Sequence, residues 1–154
     1  MPNRHATTFT ATPDHIDIMG HVNNAVWVQW MEALATRHWQ TDASPEQQAT
    51  YIWLVTRHEI DYRGNILAGQ SVHAETFIPD PPKGARFDRR IDFTPLGPDG
   101  APQGRPIVSA RSTWAMLEAA SGRLMRVPAD VADIFAPEGG WPVDQSASTS
   151  PTGT

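Results

Sequence analysis

The chain has 154 residues, 40% hydrophobic and 19% charged, with 12 basic against 17 acidic side chains and a formal net charge of −5. That length suits one domain with its own core, and the acidic balance argues against a general nucleic-acid binder, whose contact face needs excess positive charge. The chain has no cysteine, which excludes disulfides, thiolate metal sites and a cysteine nucleophile.

No apolar run approaches the roughly 18 residues of a membrane span. The start, MPNRHATTF, lacks the apolar stretch of a signal peptide, so a cytoplasmic protein that engages neither membrane nor nucleic acid is expected. Residues 4–11, RHATTFTA, are β-branched and aromatic before Pro13, which predicts a first strand. A loop follows from Pro13 to Gly20. From Asn23 to Trp39 the sequence is apolar on nearly every side, broken by Gln29, Glu32, Thr36, Arg37 and His38, which predicts a buried helix. Asn23 is placed to cap it by accepting a free amide of the first turn. Glu32 then stands out as a carboxylate that needs a partner if buried.

TDASPEQQAT is a polar connection with a short helical turn expected after Ser44. Strand patterns follow at 51–62, 70–78, 85–94 and 105–119, separated by Gly- and Pro-containing turns. Pro128 opens a short helix, ADVADIF. One long helix before four antiparallel strands is an α+β pattern in which the sheet wraps the helix. The domain is expected over 1–136. Residues 137–154 are rich in Pro, Gly, Ser and Thr and are expected to be a disordered tail, with Trp141 as its one docking residue.

The polar cluster before the helix, PDHIDIMGHVNNAVWVQWMEA (13–33), carries the strongest signal. Its pattern is Asp17, two variable residues, Gly20, then His21, Val22, Asn23, Asn24, the aromatic Trp27 and, further along the helix, Glu32. EIDYRGNILAG supplies Asp61, Tyr62 and Gly69, and SGRLMRVP leads to the Pro128 helix. In this order, over residues 5 to about 135, the chain resembles the hotdog-fold thioesterases, specifically the 4-hydroxybenzoyl-CoA thioesterase-like group. It departs from that pattern at His15, where many members carry a second Asp. Met19 replaces the Asn found in the plant acyl-carrier-protein thioesterases, which favours a CoA thioester over an acyl-carrier-protein substrate.

The resemblance implies an acyl-CoA thioesterase with no cofactor beyond its CoA thioester substrate, assembled as a dimer or tetramer with sites at the interface. It implies Asp17 as nucleophile or general base and the Asn24 backbone amide as the donor that polarises the carbonyl. A helix N-terminus supplies such free amides and a partial positive charge. Gly20 would permit close backbone approach, and His21 would orient Asp17 or bond across the interface. Asp17 also reads as a turn-forming residue, and Trp27 as core packing or acyl contact. Tyr62 is a further substrate-side candidate. Eight of the twelve basic residues lie between Lys83 and Arg126, offering Lys83, Arg86, Arg89, Arg90 and Arg105 to the CoA phosphates. His15, Asp17 and His21 do not all three fit the i, i+4 spacing of a helical metal pair, and no metal site is expected. Two other readings stay open: a non-catalytic acyl-CoA-binding protein, and an enoyl-CoA hydratase using Asp17 and His21 on one water.

Overall fold

The computed structural model describes residues 3–142. Five strands form one antiparallel sheet: β1 (His5–Thr10), β2 (Tyr51–Tyr62), β3 (Ser71–Phe77), β4 (Arg86–Pro95) and β5 (Val108–Glu118), in the order β1-β3-β4-β5-β2. Among the described residues three α-helices accompany them, α1 (Asn24–Asp42), α2 (Pro45–Thr50) and α3 (Ala129–Ile134), with a short 3-10 helix at Pro13–His15. All five expected strands are present, as are the long helix, the turn after Ser44 and the helix after Pro128. No described helix is long and apolar enough to cross a membrane.

The local chemistry accounts for the element boundaries. Asn23 caps α1 as expected, its side chain accepting from the Ala25 amide at 3.0 Å. Ser44 and Gln47 form a reciprocal capping box at the start of α2, with Pro45 in the first turn. In β3 every second residue is buried, from Val72 through Ala74 to Thr76, because strand side chains alternate between faces. β2 pairs with β5 from Tyr51↔Glu118 to Tyr62↔Val108, with a register shift between Val55 and Arg57. That bulge switches the inward positions from odd to even numbers, so His58 and Ile60 face the helix side.

The face of α1 that meets the sheet carries Val26, Trp27, Trp30, Met31, Leu34, Ala35 and His38. Trp27 meets Trp30 and Phe93 edge-on at 5.1 and 5.0 Å, and Phe9 stacks on Trp30 at 5.3 Å. Burying each such large apolar side chain is worth about 1.5–3 kcal/mol, so this cluster fixes where α1 lies. Glu32 is not buried. It sits on the exposed side of α1, and its Oε1 lies 3.7 Å from His58 Nε2.

Trp141 docks, as expected, donating from Nε1 to the Ala132 carbonyl at 3.1 Å. The remainder of the expected tail, residues 143–154, lies outside the described residues.

Candidate active site

Residues 16–22 fold back on themselves just ahead of α1. The Asp17 amide donates to the His21 carbonyl at 2.9 Å and the Asn23 amide to the His15 carbonyl at 2.9 Å, with Ile16 and Val22 facing each other between them. The chain reverses at Gly20, which holds φ +78° and donates to the Asp17 carbonyl at 3.0 Å. This left-handed conformation is one that glycine adopts without steric cost. Any other L residue would be strained there even though the space beside it is open.

The half-buried Asp17 carboxylate closes the turn from inside. Its Oδ1 accepts the Met19 amide at 2.9 Å and the His21 amide at 3.3 Å. Among the described residues Oδ2 accepts no hydrogen bond, so one oxygen holds the loop and the other is unengaged. Within this protomer His21 meets Asp17 through its backbone, and its imidazole is exposed and makes no hydrogen bond to that carboxylate.

At the start of α1 the free amides divide in the same way. Asn23 takes up the Ala25 amide with its side chain and the Val26 amide with its carbonyl. Among the described residues nothing accepts from the Asn24 amide, which leaves one donor with the helix dipole behind it. The Tyr62 hydroxyl donates to the Asn24 carbonyl at 3.3 Å. Burial pushes its phenol above the ordinary value, so near neutrality it is a donor.

One residue at this mouth escaped the sequence reading. Asn65, in the β2–β3 connection, accepts the Val22 amide at 3.0 Å and the Ile66 amide at 2.9 Å, and donates to the Val22 carbonyl at 3.3 Å. It pins the residue between Asp17 and Asn24 from the side opposite the loop. Its only sequence signal is an Asn directly after Gly64, which marks a turn and nothing more.

The structure does not bring every expected residue here. Trp27 is fully buried in the core and cannot touch a ligand in this protomer. Lys83, Arg86, Arg90 and Arg105 are exposed. Arg89 is not: strand alternation turns it inward, and it is 2% exposed, so it is no surface partner for a phosphate.

The family model of the thioesterase-like superfamily matches residues 11–135. No curated protein matches. Among solved structures, a 4-hydroxybenzoyl-CoA thioesterase mutant complexed with 4-hydroxybenzoyl-CoA superposes with a TM-score of 0.75 at 15% identity, over 86% of this chain and 99% of that one. The dynemicin thioesterase, described with bound polyene, gives 0.73 at 19% identity over 86% and 95%. A predicted thioesterase from Bacillus stearothermophilus gives 0.67 at 21% over 84% and 91%. At these identities the likeness is one of fold.

Proposed function

The chain belongs to the thioesterase-like superfamily and has its hotdog fold, and from that premise we propose that it hydrolyses an acyl- or aryl-CoA thioester to the free acid and CoA. The observation that carries this reading is the pairing of a carboxylate oxygen left free on Asp17 with an amide left free on Asn24, at the two ends of one pinned loop. The Asn24 N–H polarises the thioester carbonyl and stabilises the oxyanion formed on attack; such a donor is typically worth about 10²–10³ in rate. Asp17 either attacks the carbonyl carbon through its free oxygen or removes a proton from the water that attacks it. If Asp17 attacks, the C–S bond breaks, CoA leaves as the thiol, and water then cleaves the acyl–aspartyl anhydride to free the acid and restore the carboxylate. If water attacks, the tetrahedral adduct expels CoA directly. In both routes one water is consumed. Exposed Lys83, Arg86 and Arg90 are the cations proposed to meet the CoA phosphates. The complete unit is proposed to be a dimer or tetramer.

The test is free-thiol release from acetyl-, hexanoyl-, palmitoyl-, benzoyl- and phenylacetyl-CoA, comparing wild type with Asp17→Asn. The amide oxygen of Asn can still accept from the Met19 and His21 amides, so this change keeps the turn and removes the charge. A loss of at least about 10²-fold in kcat with the fold retained is expected. An Asp17→Asn enzyme of full activity would remove Asp17 from the mechanism. A wild type that binds these thioesters without turning any over would replace the enzyme reading with a binding protein.

A further inference from the structure

Among the described residues, the large apolar side chains left exposed gather in two places. Ile18, Met19, Tyr62 and Leu67 lie about the loop and helix start of the candidate site, while Ile52, Leu54 and Leu124, 44%, 49% and 51% exposed, lie elsewhere. The sheet register makes this second group continuous. Trp53 points inward to meet Trp39 of α1, so Ile52 and Leu54 on either side of it face outward, away from the helix. On β5, Leu117 stands opposite Ile52 and Ala115 opposite Leu54. Leu124 flanks Leu117 on the side away from β2. With strands about 4.8 Å apart and alternate residues about 7 Å apart, these four side chains form one apolar patch of roughly 10 by 7 Å on the outer face of the sheet.

The patch has a basic border. Arg86 pairs with Ala115 and so continues the Leu54 row, and Lys83 faces Arg86 across a tight turn. The Val127 amide donates to the Gly84 carbonyl at 2.9 Å, which brings Arg126 beside them. All three cations are exposed, and among the described residues none of them has an ion pair. Asp88, on the same face, is engaged by Arg111 and Thr113. On a chain whose net charge is −5, this border is a local reversal of sign.

We infer that this face docks an acidic partner protein through an amphipathic helix, its apolar stripe on Ile52, Leu54, Leu117 and Leu124 and its Asp or Glu side chains on Lys83, Arg86 and Arg126. Side chains at i and i+3 or i+4 of a helix stand about 5–6 Å apart, which matches the length of the patch. Charge complementarity selects this occupant. A two-fold contact with a second copy would bring like cations together. A nucleic acid or a CoA phosphate would use the cations and leave the apolar side chains uncovered. A bilayer needs side chains that reach about 5–10 Å into it, whereas these lie on a sheet face and are about half covered. Lys83 and Arg86 are shared with the proposed CoA contact, so the test rests on Leu117, Leu124 and Arg126. It reads binding without turnover and stands apart from the thioesterase reading.

The experiment titrates the full chain into a fluorescein-labelled helical peptide of about 18 residues, with Leu along one face and Glu on its flanks, and follows anisotropy. A peptide with Lys in place of Glu is the control. The Glu peptide should bind at least about tenfold more tightly than the Lys peptide, and less tightly as NaCl rises from about 50 to about 300 mM. The Leu117→Ser, Leu124→Ser double variant should lose at least about tenfold, and Arg126→Gln about threefold. No binding of the Glu peptide, or equal binding of both peptides, overturns the inference without any variant. Binding that survives in the folded double variant reduces the face to a charge contact and overturns it too. Wild type that ignores the peptide but sediments with phosphatidylcholine vesicles holding about 30% phosphatidylglycerol makes a lipid surface the partner. A double variant that sediments as a smaller species than wild type, with no peptide present, makes the occupant a second copy. Either result overturns the inference.

Discussion

Asn65→Ala tests whether the loop before α1 is held from both sides. The side chain accepts two backbone amides and donates to one carbonyl. Val22 and Ile66, which own those groups, are 1% and 3% exposed. Each buried polar group left unpaired costs about 1–3 kcal/mol. Asn65 itself is only half-buried and Leu67 is exposed, so water can reach part of the vacated space, and a total of about 2–4 kcal/mol is expected. Asn65→Asp keeps the acceptor for both amides, loses the donation to Val22 and sets two oxygens against each other, so it should cost less than the Ala change. Urea denaturation with matched slopes measures both. A loss under about 0.5 kcal/mol for Asn65→Ala, or no difference between the two variants, would refute the accounting. Loosening Val22 also moves Asn24 relative to Asp17, and a displacement near 1 Å costs up to about 10² in rate. The effect should fall on kcat with KM nearly unchanged; a folded Asn65→Ala with normal kcat would make Asn65 a stabilising residue without a positioning role.

Two further outcomes follow from the same structure. The fold holds His38 neutral down to about pH 3 whereas the unfolded chain protonates it near 6.5, so its contribution is fully present above pH 6.5 and is lost as pH falls toward 3. The slope is at most about 1.4 kcal/mol per pH unit. Urea midpoints between pH 6.5 and 4 should fall less steeply for His38→Gln, and parallel curves would show that the ring does not drive the loss. At the sheet's edge, β2 offers twelve residues with Ile52 and Leu54 44% and 49% exposed, a long open edge of the kind that pairs with another chain. Wild type should sediment as a dimer or larger and the Ile52→Asp, Leu54→Asp double variant as a monomer; a monomeric wild type refutes association.

The parts of the fold that the sequence displays are those governed by local rules. The Asn23 cap, the Ser44–Gln47 box and the strand alternation each depend on residues a few positions apart, and each is found where the pattern places it. Arg89 shows how composition can hide such a rule. In ARFDRRIDFT the inward set is Phe87, Arg89, Ile91 and Phe93, so the period-two pattern already turns Arg89 inward; grouping it with its basic neighbours obscured that. Glu32 is a different case. With apolar residues on nearly every side of α1, the sequence gives no contrast to set the helix phase, and the sheet's position decides which side is exposed. Asn65 was not legible at all, because its partner Val22 is 43 positions away and no local pattern records that contact.

The same helix carries opposite chemistry at its two ends, and the macrodipole is the common cause. At the N-terminus the free Asn24 amide and the partial positive charge favour developing negative charge, where Asp17 waits with one oxygen unused. At the C-terminus the partial negative charge favours a cation, and His38, in the last turns of α1, meets Arg89. Arg89 therefore gains some relief from the dipole and from Asp42 beyond the imidazole, but neither supplies an acceptor for its Nε. A structural arginine satisfied by its surroundings would have its donors used. Here the dipole makes the buried charge tolerable, Nη1 is used by His38 and Thr76, and Nε is left without a partner among the described residues.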